Sequence, residues 1–215
     1  MKYKMVVFDL DGTIIDCADF IWNALHDHFE TDGKARHEAS RKFFDGEISY
    51  KEWFEHDIKM MKKKNANKET LFDAMKKIKL IDGAKETLEE LKKRGHKLAI
   101  ISGSVDTVIN YFSLGDFFDE IFINKIFFDE KGEIARLEHT PYDVQAKADG
   151  LNYLTKKFGI TPEECIFVGD HFNDIEIAKL AGLSIAFNPK SKELEKVSDV
   201  VVKKKDLREI LKFIQ

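Results

Sequence analysis

Residues 4–16 read KMVVFDLDGTIID, and this stretch decides how the rest of the chain is interpreted. Met5–Phe8 is a continuous apolar run, typical of a parallel strand that is buried on both faces of a sheet. Asp9 and Asp11 follow at once, and side chains two residues apart on an extended chain share a face. Paired acids at the end of a buried strand are costly to desolvate unless a cation balances them. The stretch therefore predicts a site for one divalent cation, although a plain acidic β-turn after a core strand remains the alternative.

Composition is that of a soluble globular protein, with 43% hydrophobic and 34% charged residues in a chain of 215. The net charge of −4 argues against nucleic acid or an anionic membrane as the main partner. We find no signal peptide and no apolar run of membrane-spanning length. Cys17 and Cys165 form no CxxC motif and are expected to be reduced, with a disulfide between them as the alternative. We therefore expect a cytoplasmic protein, either monomer or homodimer, with no nucleic-acid or membrane partner.

Helical periodicity alone fills the region between Asp16 and Leu80, and no strand signal appears there. The predicted helices are Phe20–Glu30, Ser40–Phe44, Tyr50–Lys63 and Lys68–Ile78. We predict that residues 17–80 form a helical cap inserted into a core made of residues 1–16 and 81–215.

Strands and helices alternate after residue 80. Further strands are predicted at His96–Ile101, Glu120–Asn124, Cys165–Val168, Ser184–Phe187 and Asp199–Val202, with a hairpin at Phe127–Leu137. Repeated strand–helix units imply a parallel sheet with helices on both faces. The predicted fold class is α/β, a doubly wound parallel sheet with an inserted all-helical domain.

Polar side chains stand where three of these strands end, and a lysine lies on the helix before the third. These residues are Asp9, Asp11, Ser102, Lys147, Asp170, Asn173 and Asp174. In such folds ligands bind beyond the carboxyl ends of the strands. Acids from two strand ends would hold Mg²⁺, while a hydroxyl, a lysine and helix N-terminal amides would hold an anion beside it. A metal beside an anion indicates phosphate chemistry, with one carboxylate attacking phosphorus and another protonating the departing alkoxide.

With these residues in place, the chain resembles the haloacid dehalogenase superfamily, and within it the phosphoserine phosphatase branch. Residues 9–13 match its DxDGT pattern, Ser102 and Lys147 match the next two motifs, and residues 169–174 match GDxxND. The resemblance covers essentially the whole chain. It implies a Rossmann-like core with a C1-type helical cap, and Mg²⁺-dependent hydrolysis of a small phosphorylated metabolite through an aspartyl-phosphate. The alternatives are a phosphomutase of the same superfamily and a catalytically idle binding module with this fold.

The resemblance also implies a role for each motif residue. Asp9 is expected to be the nucleophile and a metal ligand, and Asp11 the general acid/base that offers its backbone carbonyl to the metal. Lys147 is expected to steady Asp9, Asp170 to be the third metal ligand, and Asp174 to lie in the outer shell of the metal. Phosphate contacts are implied for Thr13, Ser102, Gly103, Lys147 and Asn173.

The cap departs from the phosphoserine phosphatase pattern. By the resemblance, an acid for a substrate amine is expected at Ala18 and an arginine for a substrate carboxylate near Asp57. Asp16 or Asp19 could replace the acid, but a carboxylated substrate would meet Glu55 and Asp57 without an evident cation. We therefore expect that L-phosphoserine is not the best substrate and that a neutral or cationic leaving group is preferred. If the cap register is shifted, the missing cation is expected among Arg41, Lys59 and Lys62.

Two further expectations concern the cap as a body. Its aromatic residues are predicted to form mainly the interior of the cap, with one facing substrate as the alternative; they are Trp22, Trp53 and Phe54. The connections at Asp16–Asp19 and Leu80–Gly83 are predicted to act as a hinge, with Gly83 as the pivot.

Overall fold

The computed structural model describes residues 2–17, 20–144 and 146–214. Its strands are β1 (Met5–Phe8), β2 (Ile15–Asp16), β3 (Lys79–Leu80), β4 (Lys97–Val105), β5 (Glu120–Phe128), β6 (Ile134–Glu138), β7 (Cys165–Gly169), β8 (Leu183–Phe187) and β9 (Val200–Val202). Seven of them form one sheet in the order β6-β5-β4-β1-β7-β8-β9. Neighbouring strands are parallel except β5 and β6, which run antiparallel.

Strand β1 lies at the centre of this sheet. Its residues Met5–Phe8 pair in parallel with Lys97–Ile100 of β4 on one side and with Cys165–Val168 of β7 on the other. All four side chains of β1 are fully buried. The prediction of a parallel strand buried on both faces is therefore confirmed, and its carboxyl end places Asp9 at the middle of the sheet edge.

Helices cover both faces of the sheet, as predicted for a doubly wound α/β fold. Successive residues of β1 alternate between two hydrophobic clusters, because side chains on a strand point to opposite faces. Val6 and Phe8 pack in the cluster that holds the first two core helices, whereas Met5 and Val7 pack in the cluster that holds the last three. In chain order these helices are α5 (Ala84–Lys93), α6 (Asp106–Phe112), α7 (Lys147–Phe158), α8 (Ile175–Leu180) and α9 (Lys192–Val197). Short 3₁₀ turns occur at Gly115–Phe117, Pro162–Glu164, Phe172–Asp174 and Leu207–Lys212.

Four helices lie between β2 and β3, namely α1 (Ile21–His28), α2 (Gly33–Phe44), α3 (Tyr50–Lys62) and α4 (Lys68–Met75). Local sequence explains two of their starts. Asp32 accepts hydrogen bonds from the first N–H groups of α2, and Ser49 and Glu52 form a capping box at α3. Apolar side chains of α1, α3 and α4 join the same hydrophobic cluster as Ile14 and Ile15, so these helices pack directly against the sheet domain.

Several boundaries differ from the predictions. Ile15 and Asp16 pair antiparallel with Leu80 and Lys79, so the prediction that no strand lies between Asp16 and Leu80 was wrong. A ribbon of two residues per strand is too short to leave a periodic pattern. Helix α2 begins at Gly33 rather than Ser40. The prediction missed its first turns because they carry no apolar stripe, and Ala39 is the one buried residue of the helix.

The structure describes one of the two predicted chain connections of the cap in full and the other in part. Gly83 has a φ of +73°, and a Cβ on it would lie 2.6 Å from the side chain of Arg208, so this position requires glycine. Ala18 and Asp19, which belong to the other connection, lie outside the described residues. Hinge motion of the cap remains a prediction.

Two general expectations can be compared with the structure directly. Cys17 and Cys165 are both buried and are not joined by a disulfide. Among the described residues, no helix has both the length and the apolar character needed to cross a membrane.

Candidate active site

The carboxyl ends of the three central strands meet at one edge of the sheet. Asp9 follows β1, Ser102 lies near the end of β4, and Asp170 follows β7. All three side chains are at least nine-tenths buried. The predicted convergence of polar strand ends is therefore confirmed as geometry, whereas the catalytic role of each residue remains a proposal.

Three carboxylates form the centre of this edge. Oxygen atoms of Asp9, Asp170 and Asp174 all lie within 4.8 Å of one another, and all three residues are buried. Burial raises the pKa of Asp170 to about 8, with further contributions from the charges of Asp9 and Asp174. Burial likewise raises the pKa of Asp174 to about 6. Crowded carboxylates that resist ionisation need a cation, and hard oxygen ligands of this kind fit Mg²⁺.

Lys147 provides positive charge inside this cluster. Its Nζ lies 2.9 Å from Oδ1 of Asp9 and 2.7 Å from Oδ1 of Asp174, and its side chain is fully buried. Burial alone would lower the pKa of Lys147, but the surrounding carboxylates raise it above its ordinary value. The ammonium therefore stays charged and bridges two acids. A second lysine, Lys190, places its Nζ 3.1 Å from Oδ2 of Asp170.

Asp174 also orders the loop after β7. Its Oδ2 accepts hydrogen bonds from the backbone N–H groups of Asp170 (2.9 Å) and His171 (3.0 Å), while Oδ1 accepts from Lys147. Nearly all of its acceptor capacity is thus used within the protein. This arrangement suits the predicted outer-shell role better than direct chemistry.

Asp11 joins the cluster to the cap. Its Oδ2 accepts a hydrogen bond of 2.8 Å from the backbone N–H of Ile21, the first residue of α1. Its Oδ1 is buried without a hydrogen-bond partner among the described residues. Burial, followed by the charge of Asp9, raises the pKa of Asp11 to about 7. A carboxyl group with this pKa can hold a proton at neutral pH, as a general acid requires.

Two glycines of the motifs permit close approach of carboxylates. Gly12 has a φ of +74°, and a Cβ on it would lie 2.1 Å from Oδ2 of Asp170. A Cβ on Gly103 would lie 1.9 Å from Oδ2 of Asp143. Thr13 is fully buried below the site, and its Oγ1 has no hydrogen-bond partner among the described residues.

A cavity of about 220 Å³ lies between this edge and the cap. Five predicted site residues line it, namely Asp9, Asp11, Ser102, Gly103 and Asn173. Aromatic side chains form much of the remaining wall, namely Phe20, Trp22, Phe44, Tyr50, Trp53, Phe54 and Phe172. The expectation that Trp22, Trp53 and Phe54 form mainly the cap interior holds in part, because Phe54 belongs to the hydrophobic cluster and Trp22 packs against it. All three also line the cavity, as the alternative allowed for one of them.

Tyr50, Asn124 and Asp143 belong to the site and were missed by sequence reasoning. Asn124 donates from Nδ2 to the hydroxyl of Tyr50 (2.8 Å) and to the carbonyl of Gly103 (2.8 Å). The same carbonyl accepts a 2.9 Å hydrogen bond from Nε1 of Trp22. Two cap side chains are thereby bonded to core groups beside Ser102. The signal that the sequence offered was the closeness of Asp143 to Lys147, four residues further on.

The cap also contributes charge to the cavity. Asp57 is 4% exposed and lines the wall, as does Arg36 of α2. The guanidinium of Arg36 is half-buried and donates to Oδ1 of Asn23 at 2.5 Å. Arg36 is thus a cation in the same cavity wall as Asp57, where the sequence showed no evident one. Arg36 was missed because the first turns of α2 were not predicted.

The cations considered in the sequence analysis lie elsewhere. Arg41 pairs with exposed acids of its own helix region, Glu38, Asp45 and Glu47. Lys62 donates to the carbonyl of Ile134, and Lys59 is exposed. The expected acid position, Ala18, lies outside the described residues, and Asp16 pairs with Lys205.

Comparison with known proteins identifies the class. The family model of haloacid dehalogenase-like hydrolases matches residues 3–182, so the chain belongs to that family. It is a phosphatase of the phosphoserine phosphatase-like branch, which confirms the predicted membership. The phosphoserine phosphatase of Methanocaldococcus jannaschii is 30% identical over 100% of this chain and 99% of the relative. That of Idiomarina loihiensis is 30% identical over 98% of this chain and 94% of the relative.

Solved structures agree in fold over the whole chain. A substrate-bound phosphoserine phosphatase complex matches with a TM-score of 0.77 at 28% identity, covering 100% of both chains. A phospho-aspartyl intermediate analogue of phosphoserine phosphatase matches with a TM-score of 0.76, also at 28% identity and with 100% of both chains covered.

Proposed function

We propose that this chain is a Mg²⁺-dependent phosphomonoesterase that forms an aspartyl-phosphate on Asp9 and acts on a small phosphorylated metabolite. The observation that carries the proposal is the buried Lys147 ammonium, which bridges Asp174 and Asp9 beside Asp170, with Asp9 itself lining the cavity. The relative described as a phospho-aspartyl intermediate analogue supports the same chemistry.

In the first step, Oδ of Asp9 attacks phosphorus as the bond from phosphorus to the ester oxygen breaks. The ammonium of Lys147 holds the attacking carboxylate in place, and Ser102 and the backbone at Gly103, which line the cavity, hold phosphoryl oxygens. Asp11 gives its proton to the departing alkoxide, which leaves as an alcohol. Water then attacks phosphorus while Asp11 takes its proton, the bond from phosphorus to the Asp9 oxygen breaks, and inorganic phosphate leaves as the Asp9 carboxylate is regenerated.

The carboxylates of Asp9 and Asp170 and the backbone carbonyl of Asp11 would hold Mg²⁺, with Asp174 behind them. When bound, the ion would offset the negative charge that gathers as phosphate approaches these acids.

Hydrolysis of p-nitrophenyl phosphate tests this proposal. The purified chain should release p-nitrophenol with Mg²⁺ and lose turnover in EDTA or on Asp9→Asn. Asp73→Asn is the matched control, since Asp73 is an exposed acid of α4 that pairs with Lys76. Full activity of Asp9→Asn, or full activity in EDTA, would contradict the mechanism.

Two measurements separate the alternatives. A phosphomutase would convert sugar phosphates without releasing free phosphate. A catalytically idle binding module would form no complex with beryllium fluoride, the mimic of an aspartyl-phosphate. We rank both lower because the acids and the lysine that the chemistry needs all lie within one cluster.

A further inference from the structure

The groups that lack partners in the cavity wall are mainly hydrogen-bond acceptors. Outside the residues assigned to phosphate chemistry, the buried lining atoms without a hydrogen-bond partner in the described chain are Oδ1 of Asp57, Oδ1 of Asp143, Oγ of Ser104 and Nε1 of Trp53. Two of the four belong to carboxylates, and the Ser104 hydroxyl can accept as well. Buried acceptors left unpaired cost free energy, so a bound leaving group that donates hydrogen bonds would relieve that cost.

Asp57 is the acceptor on the cap side. It is 4% exposed, and two imidazoles lie near it at longer than ordinary hydrogen-bond range. Nε2 of His26 lies 3.4 Å from Oδ2, and Nδ1 of His56 lies 3.7 Å from Oδ1. Oδ1 of Asp57 has no hydrogen-bond partner among the described residues, so the carboxylate retains acceptor capacity at the cavity wall.

Asp143 is the acceptor on the core side. Its carboxylate packs against Gly103 and is bonded to the hydroxyl of Tyr50. Because that hydroxyl accepts from Asn124, its hydrogen is available to Asp143. One oxygen of Asp143 still has no partner among the described residues, so acceptors face the cavity from both walls.

The aromatic wall favours positive charge in the same space. Trp22 and Phe54 meet edge to face with ring centroids 5.8 Å apart, and both line the cavity. Ring faces attract an ammonium group, and the attraction is stronger where the group is desolvated.

Arg36 is the one cation among the described lining residues outside the catalytic cluster. Its guanidinium is bonded to Asn23 and lies in the field of Asp57 and Asp27. Its charge is therefore compensated by acids of the cap itself. A substrate carboxylate placed here would also face Asp57 and Asp143, which would disfavour it.

We infer that the leaving group of the substrate carries an ammonium group that binds the carboxylate of Asp57. The substrate is then the phosphate monoester of an amino alcohol. The inference rests on the proposed phosphomonoesterase function. It names the class of substrate for that same site and makes Asp57 a specificity residue.

Three matched phosphate esters test it. Phosphoethanolamine carries the ammonium, n-propyl phosphate replaces that ammonium with a methyl group, and L-phosphoserine adds a carboxylate to the carbon that bears the amine. We expect kcat/KM for phosphoethanolamine to exceed that for n-propyl phosphate about tenfold or more, as one charge-assisted hydrogen bond would give. The kcat/KM for phosphoethanolamine should also exceed the kcat/KM for L-phosphoserine. A lead for L-phosphoserine would assign carboxylate recognition to Arg36 and overturn the inference.

Substitution of Asp57 provides the second arm. Asp57→Asn should remove the lead of phosphoethanolamine over n-propyl phosphate, whereas Glu55→Gln should keep it, because Glu55 is exposed on the same helix and pairs with Lys51. An unchanged ratio in Asp57→Asn would refute the role of this carboxylate. If Asp57→Asn does not fold, the three esters with the unaltered chain still decide.

The proposed function and the inference fail separately. Absence of p-nitrophenyl phosphate hydrolysis with Mg²⁺ would count against the phosphomonoesterase itself. Normal hydrolysis of that ester, with equal kcat/KM for phosphoethanolamine and n-propyl phosphate, would overturn the ammonium inference alone.

Discussion

Replacement of Lys147 by methionine tests whether the acid cluster depends on its buried ammonium. Methionine keeps much of the length of the side chain and removes the charge. The substitution abolishes two ion pairs, one of 2.9 Å to Asp9 and one of 2.7 Å to Asp174. Each is worth on the order of 6 kcal/mol at an effective dielectric constant of about 20, before desolvation is subtracted.

Desolvation of the lysine offsets much of that attraction, so the net loss is smaller. Removing one partner of a buried ion pair costs about 3–5 kcal/mol, because the remaining charge is left uncompensated. We expect the free energy of unfolding of Lys147→Met to fall by about this amount in EDTA. Turnover should fall by about 10²–10³-fold, as for loss of one group that stabilises transition-state charge.

Urea denaturation followed by circular dichroism measures the first quantity, and p-nitrophenyl phosphate hydrolysis measures the second. Lys156→Met is the control, since Lys156 is an exposed lysine of the same helix. An unfolding free energy equal to that of the unaltered chain would refute the reasoning, because it would mean that the acids are satisfied without the ammonium. Loss of stability with full turnover would refute the catalytic half alone.

Two further predictions concern a buried histidine and a glycine of the candidate active site. Burial lowers the pKa of His96 from 6.5, and the residue is 4% exposed. As the pH falls, the imidazole therefore takes up a proton in the unfolded chain before it does so in the folded chain. The contribution of His96 to the free energy of unfolding should be complete above about pH 6.5 and decrease as the pH falls below that value. Urea denaturation at pH 5 and pH 7 should show a smaller pH dependence of this free energy for His96→Gln. A Cβ on Gly103 would lie 1.9 Å from the carboxylate of Asp143, so Gly103→Ala should lower both kcat/KM and melting temperature. Gly33→Ala, where a Cβ meets nothing within 4 Å, should lower neither quantity, and equal losses in the two variants would contradict the packing argument.

The sheet could be predicted because its determinants are local. Met5–Phe8 is an unbroken apolar run, and such a run followed by acids fits a buried strand that ends at a functional edge. The alternation of strands and helices after residue 80 then predicts a parallel sheet with helices on both faces. The pairing of β2 with β3 could not be predicted in the same way, because it depends on two residues brought together from the ends of the cap.

The core of the candidate site was predictable for the same reason. Asp9, Ser102 and Asp170 are found by locating the ends of strands, and a parallel sheet brings those ends to one edge. Lys147 required the resemblance as well, since a lysine on an amphipathic helix is usually solvated. Its full burial between two carboxylates is a property of the folded chain alone.

The cap resisted prediction because its contacts depend on tertiary packing more than on local pattern. Helix α2 is polar along most of its length, so periodicity gave no sign that it begins at Gly33 or that Arg36 reaches the cavity. The stripe of α3 was visible, but an apolar face looks the same in sequence whether it covers the interior of the cap or the wall of a cavity. What distinguishes the two cases is the set of buried polar atoms among the aromatic rings. We expect a ligand against that face because Oδ1 of Asp57 is buried there and accepts no hydrogen bond from any described residue.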